Sequence, residues 1–378
     1  MKRAASQDIG FPDLPSSIGP MAFHCRSLLI LAILLLVLPA AASAQDDDHQ
    51  PFLPSPVQSA STVPTNGDVN PYGVAFVPPH FPQGTVNPGD ILVSNFNAKS
   101  NLQGTGTTIV DISSSGTQSV FFQSPTPTGL STALNILRRG FVLVGNFPSP
   151  DGTCGNATPG SILVINSSGK QVGSIADSSI NGPWDSALFD EGESAKFFVA
   201  NGLTGTVVRL DLKVSSSGVS VKNVTQIASG YQHQCDAVTF VDAPTGLVYD
   251  ADRDVLYVAS TVDNAVFAVA NAGCAEKDHG TGRIIYQDSQ HLHGALAMTM
   301  APNGHLLVSN NDAINPDPTQ PSEIVEFTVG GKFVKEISVD PNPGGSFGLA
   351  VMTRDDTARF AAVDDNTSTL LIWTLTLP

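Results

Sequence analysis

Residues 243–269 read APTGLVYDADRDVLYVASTVDNAVFAV. A glycine opens one apolar run, LVY. The polar segment DADRD follows, then a second run, VLYVAS, and after another polar break a third, NAVFAV. Aspartate side chains hydrogen-bond the backbone just ahead of them and tolerate tight turns, so DADRD reads as a hairpin turn between two short strands. Its alternating acids imitate a calcium loop, but the glycine at position six and the glutamate at position twelve are missing.

The same unit recurs six times. Its second run appears as ILVSNF (91–96), VLVGNF (142–147), FFVANG (197–202), LYVAST (256–261), LLVSNN (306–311) and AAVDDN (361–366). Ahead of these lie NPYGVAFVP (70–78), TPTGLSTAL (126–134), GPWDSALFD (182–190), APTGLVYDA (243–251), HLHGALAMT (291–299) and GSFGLAVMT (345–353). The markers Gly73, Gly129, Asp185, Gly246, Gly294 and Gly348 stand 48 to 61 residues apart. In five repeats a fourth run follows the third, as in SVFFQS (119–124) and KFVKEISV (332–339). The runs are apolar on both faces, as in sheets sandwiched between neighbours, and no segment carries a helical period of useful length. Six four-stranded antiparallel sheets packed face to face in a ring make an all-β, six-bladed β-propeller. The sixth repeat stops at Pro378, directly after its third strand, and PSPVQSASTVP (54–64) is available as the missing outer strand. The ring is therefore expected to be closed by an N-terminal strand.

The repeat resembles those of the NHL-repeat and gluconolactonase-like six-bladed propellers over about residues 67–378. That resemblance speaks for architecture more than for activity, because propellers host unrelated functions. Lactonases and phosphotriesterases of this kind hold a catalytic metal on the axis, with a glutamate from an early blade plus asparagine and aspartate. The first glutamate of this chain is Glu191, so the first two repeats contain none, and no catalytic residue is carried over.

Residues 21–44 read as a signal peptide: Arg26, the apolar run Leu28–Leu38, then the small residues Ala42-Ser43-Ala44. This implies a secreted or periplasmic protein with no stable membrane span after cleavage. Residues 1–20 are a dispensable or mis-assigned extension, 45–66 a linker with the closing strand, and 67–378 the propeller. The net charge of −16 argues against nucleic acid and anionic membranes as partners. A monomer is expected. Three cysteines follow the signal peptide, and four N-x-Ser/Thr sequons occur, at Asn156, Asn166, Asn223 and Asn366.

In a propeller the first strand of each unit lines the central channel and the second runs back antiparallel, so first-strand starts and second-strand exits share one face, the top face. Asn95, Asn146, Asn201 and Asn310 recur at the exits, with Ser260 and Asp364 in the other two units. Asparagine there either bonds nearby backbone or joins a ring of amide oxygens suited to a divalent cation or polar ligand. Nearer the axis the starts place Tyr72, Trp184, Asp185 and the pair His291 and His293. In a strand these two imidazoles would point to the same side, which suits a metal, although no third ligand is legible. GGSFG (344–348) imitates a nucleophile motif, but it leads into a strand rather than the strand–turn–helix that motif needs.

Long loops after the second strand, NFNAKSNLQGTG (95–106), NFPSPDGTCGNATPG (146–160) and NNDAINPDPTQP (310–321), rise on the top face with the insertion GYQHQCDAVTFVDAP (230–244). Such loops mark a working surface. They also place Cys154 and Cys235 one blade apart on that face, and Cys274 on the opposite one, so topology favours a Cys154–Cys235 disulfide. Two functions follow. The first is a non-enzymatic module, without a cofactor, that binds a small molecule or a protein at the top mouth of the channel. The second is a metal-assisted hydrolase or lyase, lactonase- or esterase-like, with one divalent cation near the axis.

Overall fold

The computed structural model describes residues 58–377. The readings made for 1–57, the signal peptide among them, lie outside the described residues. Six four-stranded antiparallel sheets follow one another along the chain. Blade one is Val69–Phe76, Ile91–Asn97, Thr108–Ile112 and Gln118–Gln123; blade two is Leu130–Leu137, Phe141–Asn146, Ser161–Asn166 and Gln171–Ile175. Blade three is Pro183–Asp190, Ser194–Asn201, Thr206–Ser215 and Gly218–Ser229; blade four is Pro244–Asp250, Val255–Ser260, Ala265–Ala270 and Arg283–Tyr286. Blade five is Ala295–Met300, Leu306–Asn310, Glu323–Phe327 and Phe333–Ser338. Blade six takes Ser346–Arg354, Thr357–Asp364 and Thr369–Thr376 from the end of the chain and Gln58–Ser61 from its start.

That last strand is the expected closure. Gln58 pairs with Ile372 and Ser61 with Thr369, antiparallel. The contact runs on through Thr62, whose N–H and hydroxyl both donate to the Ser368 carbonyl at 3.0 and 2.8 Å.

Apolar side chains from both faces of each sheet meet those of the neighbouring blades, which is why the runs do not alternate. Between blades two and three, Leu143, Ile162 and Val164 pack with Phe197, Val208 and Leu210, all buried. Between four and five, Tyr257 and Val266 pack with Val308, Val325 and Phe327. At the axis the inner strands approach so closely that a side chain hardly fits. A Cβ on Gly73 would lie 2.9 Å from the Ser131 carbonyl oxygen, on Gly246 2.4 Å from that of Leu296, and on Gly348 1.9 Å from that of Tyr72. Asp185 holds the equivalent place in blade three, two residues beyond Pro183, which pairs with Asn201 as Pro71 pairs with Asn95.

The register of two blades differs from the sequence reading. Ala295, not Gly294, begins the inner strand of blade five, and Ala297 takes the axial place; Leu130 begins that of blade two. Gly129 and Gly294 sit just ahead of their strands with φ of +55° and +86°, a left-handed turn that favours glycine for a different reason. His291 and His293 therefore belong to the crossover that enters blade five, not to a strand, and the same-side argument does not apply to them.

Candidate functional site

The top mouth of the channel is filled. Tyr72 and Trp184 are 2% and 1% exposed, and they form the centre of an aromatic plug with Phe96, Phe147, Phe240 and Phe347. Tyr72 lies 4.6 Å from Phe347 and 5.3 Å from Trp184, centroid to centroid; Trp184 meets Phe147 edge-on at 5.9 Å and stacks on Phe240 at 6.1 Å. Phe96 and Phe147 are the residues that follow Asn95 and Asn146, so the phenylalanine of the SNF and GNF exits turns inward to the axis. Phe240 comes from a two-stranded hairpin, Gln234–Asp236 with Phe240–Asp242, inside the insertion that follows blade three. Trp184, which the sequence places near the axis on the top face, is thus part of a seal and not of an open mouth.

The long top loops complete the seal. The disulfide joins Cys154, in the loop of blade two, to Cys235 of the hairpin, with Cα atoms 5.4 Å apart, as topology implied. Ser149 N–H donates to the Gly104 carbonyl at 3.3 Å, and Gln103 Nε2 to that of Val238 at 3.3 Å, so the loops of blades one and two and the hairpin interlock.

Three of the recurring asparagines staple their blade to the segment that enters it. Asn95 Nδ2 donates to the Thr62 carbonyl at 3.2 Å, Asn201 Nδ2 to that of Ser179 at 2.9 Å, and Asn310 Nδ2 to that of His291 at 2.7 Å. Asn146 instead accepts from the Ser161 hydroxyl at 2.6 Å. Their amide groups are spread around the ring.

Beneath the plug a cavity of about 780 Å³ runs down the axis, lined by the inner strands of all six blades. Its upper wall is apolar and buried: Val74, Leu134, Leu247, Met298 and Leu349. Its lower rim, at Pro79, His80 and Arg138, is exposed, so the cavity opens on the bottom face. At that rim Arg138 is tied to Asp190, with Nε 3.4 Å from Oδ1 and its backbone N–H donating to Oδ2 at 2.8 Å. Met298, Met300 and Met352, every methionine after Met21, lie on the wall; thioether chains are flexible and polarisable and fit irregular apolar ligands.

Asp185 is the acid at the top of this cavity. Its Oδ1 accepts the Ser186 N–H at 2.7 Å and its Oδ2 the Leu247 N–H at 3.1 Å. Those two bonds favour the ionised form, but burial outweighs them and holds the carboxyl well above the usual carboxylate range. Among the described residues, the one grouping of three histidine, cysteine or acidic side chains with ligand atoms close enough to share a metal is His293, Glu323 and Glu336, and it is not on the cavity wall. Of the residues singled out from sequence, the structure thus places Asp185 in the cavity and Tyr72 and Trp184 in the plug above it. Asn95, Asn146, Asn201 and Asn310 are at the blade exits, and the two histidines are in the blade-five crossover. The apolar cavity wall was not foreseen, because its residues look like any other propeller strand.

No protein-family model matches the chain, and no curated protein matches it in sequence. Solved structures do match. A putative oxidoreductase (glucose dehydrogenase) from Thermus thermophilus has a TM-score of 0.51 at 12% identity, covering 84% of this chain and 99% of that one. The calcium-binding protein regucalcin from Agrobacterium tumefaciens has a TM-score of 0.49 at 12% identity, covering 84% and 95%. The likeness is one of fold. Among the described residues no helix is long and apolar enough to cross a membrane.

Proposed function

We propose that this chain is an exported, monomeric, non-enzymatic binding protein whose axial cavity takes up a small, mostly apolar molecule bearing one carbonyl or hydroxyl oxygen. The observation that carries this reading is Asp185: a buried carboxyl, held well above the usual carboxylate range by burial, at the closed end of a cavity of about 780 Å³ whose upper wall is apolar. Ligand pockets of this size are mostly apolar with a few polar groups that fix orientation. The ligand enters from the bottom face, because the aromatic plug closes the top. Its oxygen accepts the Asp185 O–H, while the methionine-bearing strands adapt to its apolar part. Export agrees with the Cys154–Cys235 disulfide, which persists in oxidising compartments. The alternative, a metal-assisted hydrolase or lyase with a cation near the axis, would draw on Asp185 with the oxygens of Ser186 and Asn135 beside it; among the described residues the other carboxylate of the wall, Asp190, stands at the rim, tied to Arg138.

The test is a thermal-shift screen of small ketones, lactones and terpenoid alcohols against wild type and Leu349→Trp, which fills the cavity. Hits that stabilise wild type and are lost in the variant support the reading. Chelator-sensitive turnover of any ester or lactone would overturn it.

A further inference from the structure

Blade five departs from the repeat at one buried position. The third strand of the other blades begins with a small residue: Thr108, Ser161, Thr206, Ala265 and Thr369. Where a hydroxyl is present in blades one to three it bonds the exit asparagine, as Thr108 with Asn95 at 3.2 Å and Thr206 with Asn201 at 3.0 Å. Blade five begins that strand with Glu323, which is 0% exposed. Its Oε2 accepts from Asn310 Nδ2 at 3.3 Å; its Oε1 is buried and has no hydrogen-bond partner among the described residues. A bare buried carboxylate oxygen is costly unless a cation or donor meets it.

Two further ligand-bearing side chains face it. Glu336 on the fourth strand pairs with Val325, and Glu323 pairs with Ser338, so the two glutamates are diagonal neighbours on one face of the sheet. His293 reaches them from the crossover, and one ligand atom from each of the three lies within 4.8 Å of the others. Asn310 Oδ1 and Asp312 Oδ1, close by, are likewise buried without a donor. The seam between blades four and five has a surplus of acceptors.

We propose that His293, Glu323 and Glu336 bind one zinc-class divalent cation in the seam between blades four and five. One imidazole nitrogen with two carboxylates suits zinc or manganese, whereas calcium and magnesium favour all-oxygen sets. His293 contacts the Asn315 carbonyl through Nδ1 and the Gln290 carbonyl through Nε2 at 3.1 Å. Nδ1–H on a backbone carbonyl is the arrangement that orients a metal-bound imidazole, which leaves Nε2 to exchange its Gln290 contact for the ion. Burial raises Glu323 to about 8, with Asp312 and Glu336 adding to the effect, and burial raises Glu336 as well. The remaining charged groups around Glu336 are His291 and Asp317. His291 does not join: its Nδ1 meets Asp288 Oδ2 at 2.6 Å, and its ring stacks on Phe333 at 3.8 Å. The ion would pin the crossover to the third and fourth strands of blade five.

The experiment is zinc titration of the chelator-treated full chain by calorimetry, with metal content measured after gel filtration. One zinc per chain is expected. Glu323→Gln and Glu336→Gln should each lose more than about tenfold in affinity, and Asp355→Asn, an exposed control, should not. In chelator, Glu323→Gln should melt no lower than wild type, because a neutral amide replaces a buried acid; this separates loss of a ligand from misfolding. Wild type that takes up no zinc at millimolar concentration, or a Glu323→Gln/Glu336→Gln double variant that binds like wild type, would overturn the proposal.

Discussion

Asp185 Oδ2 accepts the backbone N–H of Leu247 at 3.1 Å, across the gap between the inner strands of blades three and four. It does so at the axial place where blades one, four and six have glycine. The side chain replaces a close backbone contact with two hydrogen bonds, one from the next residue of its own strand and one from the inner strand of blade four.

Asp185→Asn is expected to destabilise the ring. An amide can accept only through one oxygen, so either the Ser186 or the Leu247 N–H faces an NH₂ group and stays buried and unpaired. The cost should be about 1–3 kcal/mol, read as a shift in the urea midpoint with unchanged slope.

Stability should fall as the solution turns from mildly acidic to alkaline. Burial, with the Asp90 charge, raises Asp111 to about 7, and burial, with the Asp364 charge, raises Asp365 to about 7. Each folded-state acid keeps a proton that the unfolded chain releases near pH 4. The folded state thus holds more protons in the window from about 4 to about 7, and its stability declines through that window. A melting temperature in chelator higher at pH 5 than at pH 8 checks this, and Asp111→Asn should flatten the profile. A melting temperature that rises from pH 5 to pH 8 contradicts it.

Reduction of Cys154–Cys235 should loosen the cap while leaving the blades in place. The bond spans 81 residues, and such bridges typically contribute about 2–4 kcal/mol. Limited proteolysis with and without reductant should show new cleavage between residues 230 and 243 only after reduction. Peptide mapping under non-reducing conditions should recover the Cys154–Cys235 pair.

Removal of the chain through Ser61 should lower the melting temperature of the whole ring, because the Thr369–Thr376 strand loses its ladder partner and becomes an exposed edge. An unchanged melting curve would show that closure contributes nothing.

The asparagine staples should differ in worth. Asn201 is fully buried and makes three contacts: Nδ2 to the Ser179 carbonyl at 2.9 Å and to Thr206 Oγ1 at 3.0 Å, and Oδ1 from the Asn181 N–H at 2.9 Å. Asn201→Ala should cost about 1–3 kcal/mol, and Asn146→Ala, at a half-buried site, distinctly less. Chemical unfolding of both variants decides the order.

The ring was legible because repetition multiplies a weak signal: six copies of a strand–turn–strand unit read alike even where one copy is poor. The register of blades two and five was not, because two kinds of glycine look identical in one letter. Gly73 is needed where neighbouring backbones nearly touch, and Gly294 where the chain turns left-handed. Cys154 and Cys235 could be paired from strand direction alone, since each lies in a loop whose face the topology dictates. The plug could not be foreseen in the same way. Trp184 and Phe240 come from a strand start and an insertion far apart in sequence, and only their packing shows that they close the top. Glu323 and Glu336 escaped notice because each, taken singly, is one more charged residue in a strand; their meeting with His293 depends on the register of two strands and the path of a crossover.

The strand Gln58–Ser61 finds its partner only when residues near 372 exist. At about 5–20 residues per second, a ribosome takes on the order of 15–60 s to supply them. During that interval the first strand is made and has nowhere to go. A long apolar strand left waiting would recruit other nascent chains; QSAS is four residues long, mostly hydroxyl and amide, with one small apolar side chain to bury. The segment that completes the ring is thus suited to being the last piece set in place although it is among the first synthesised.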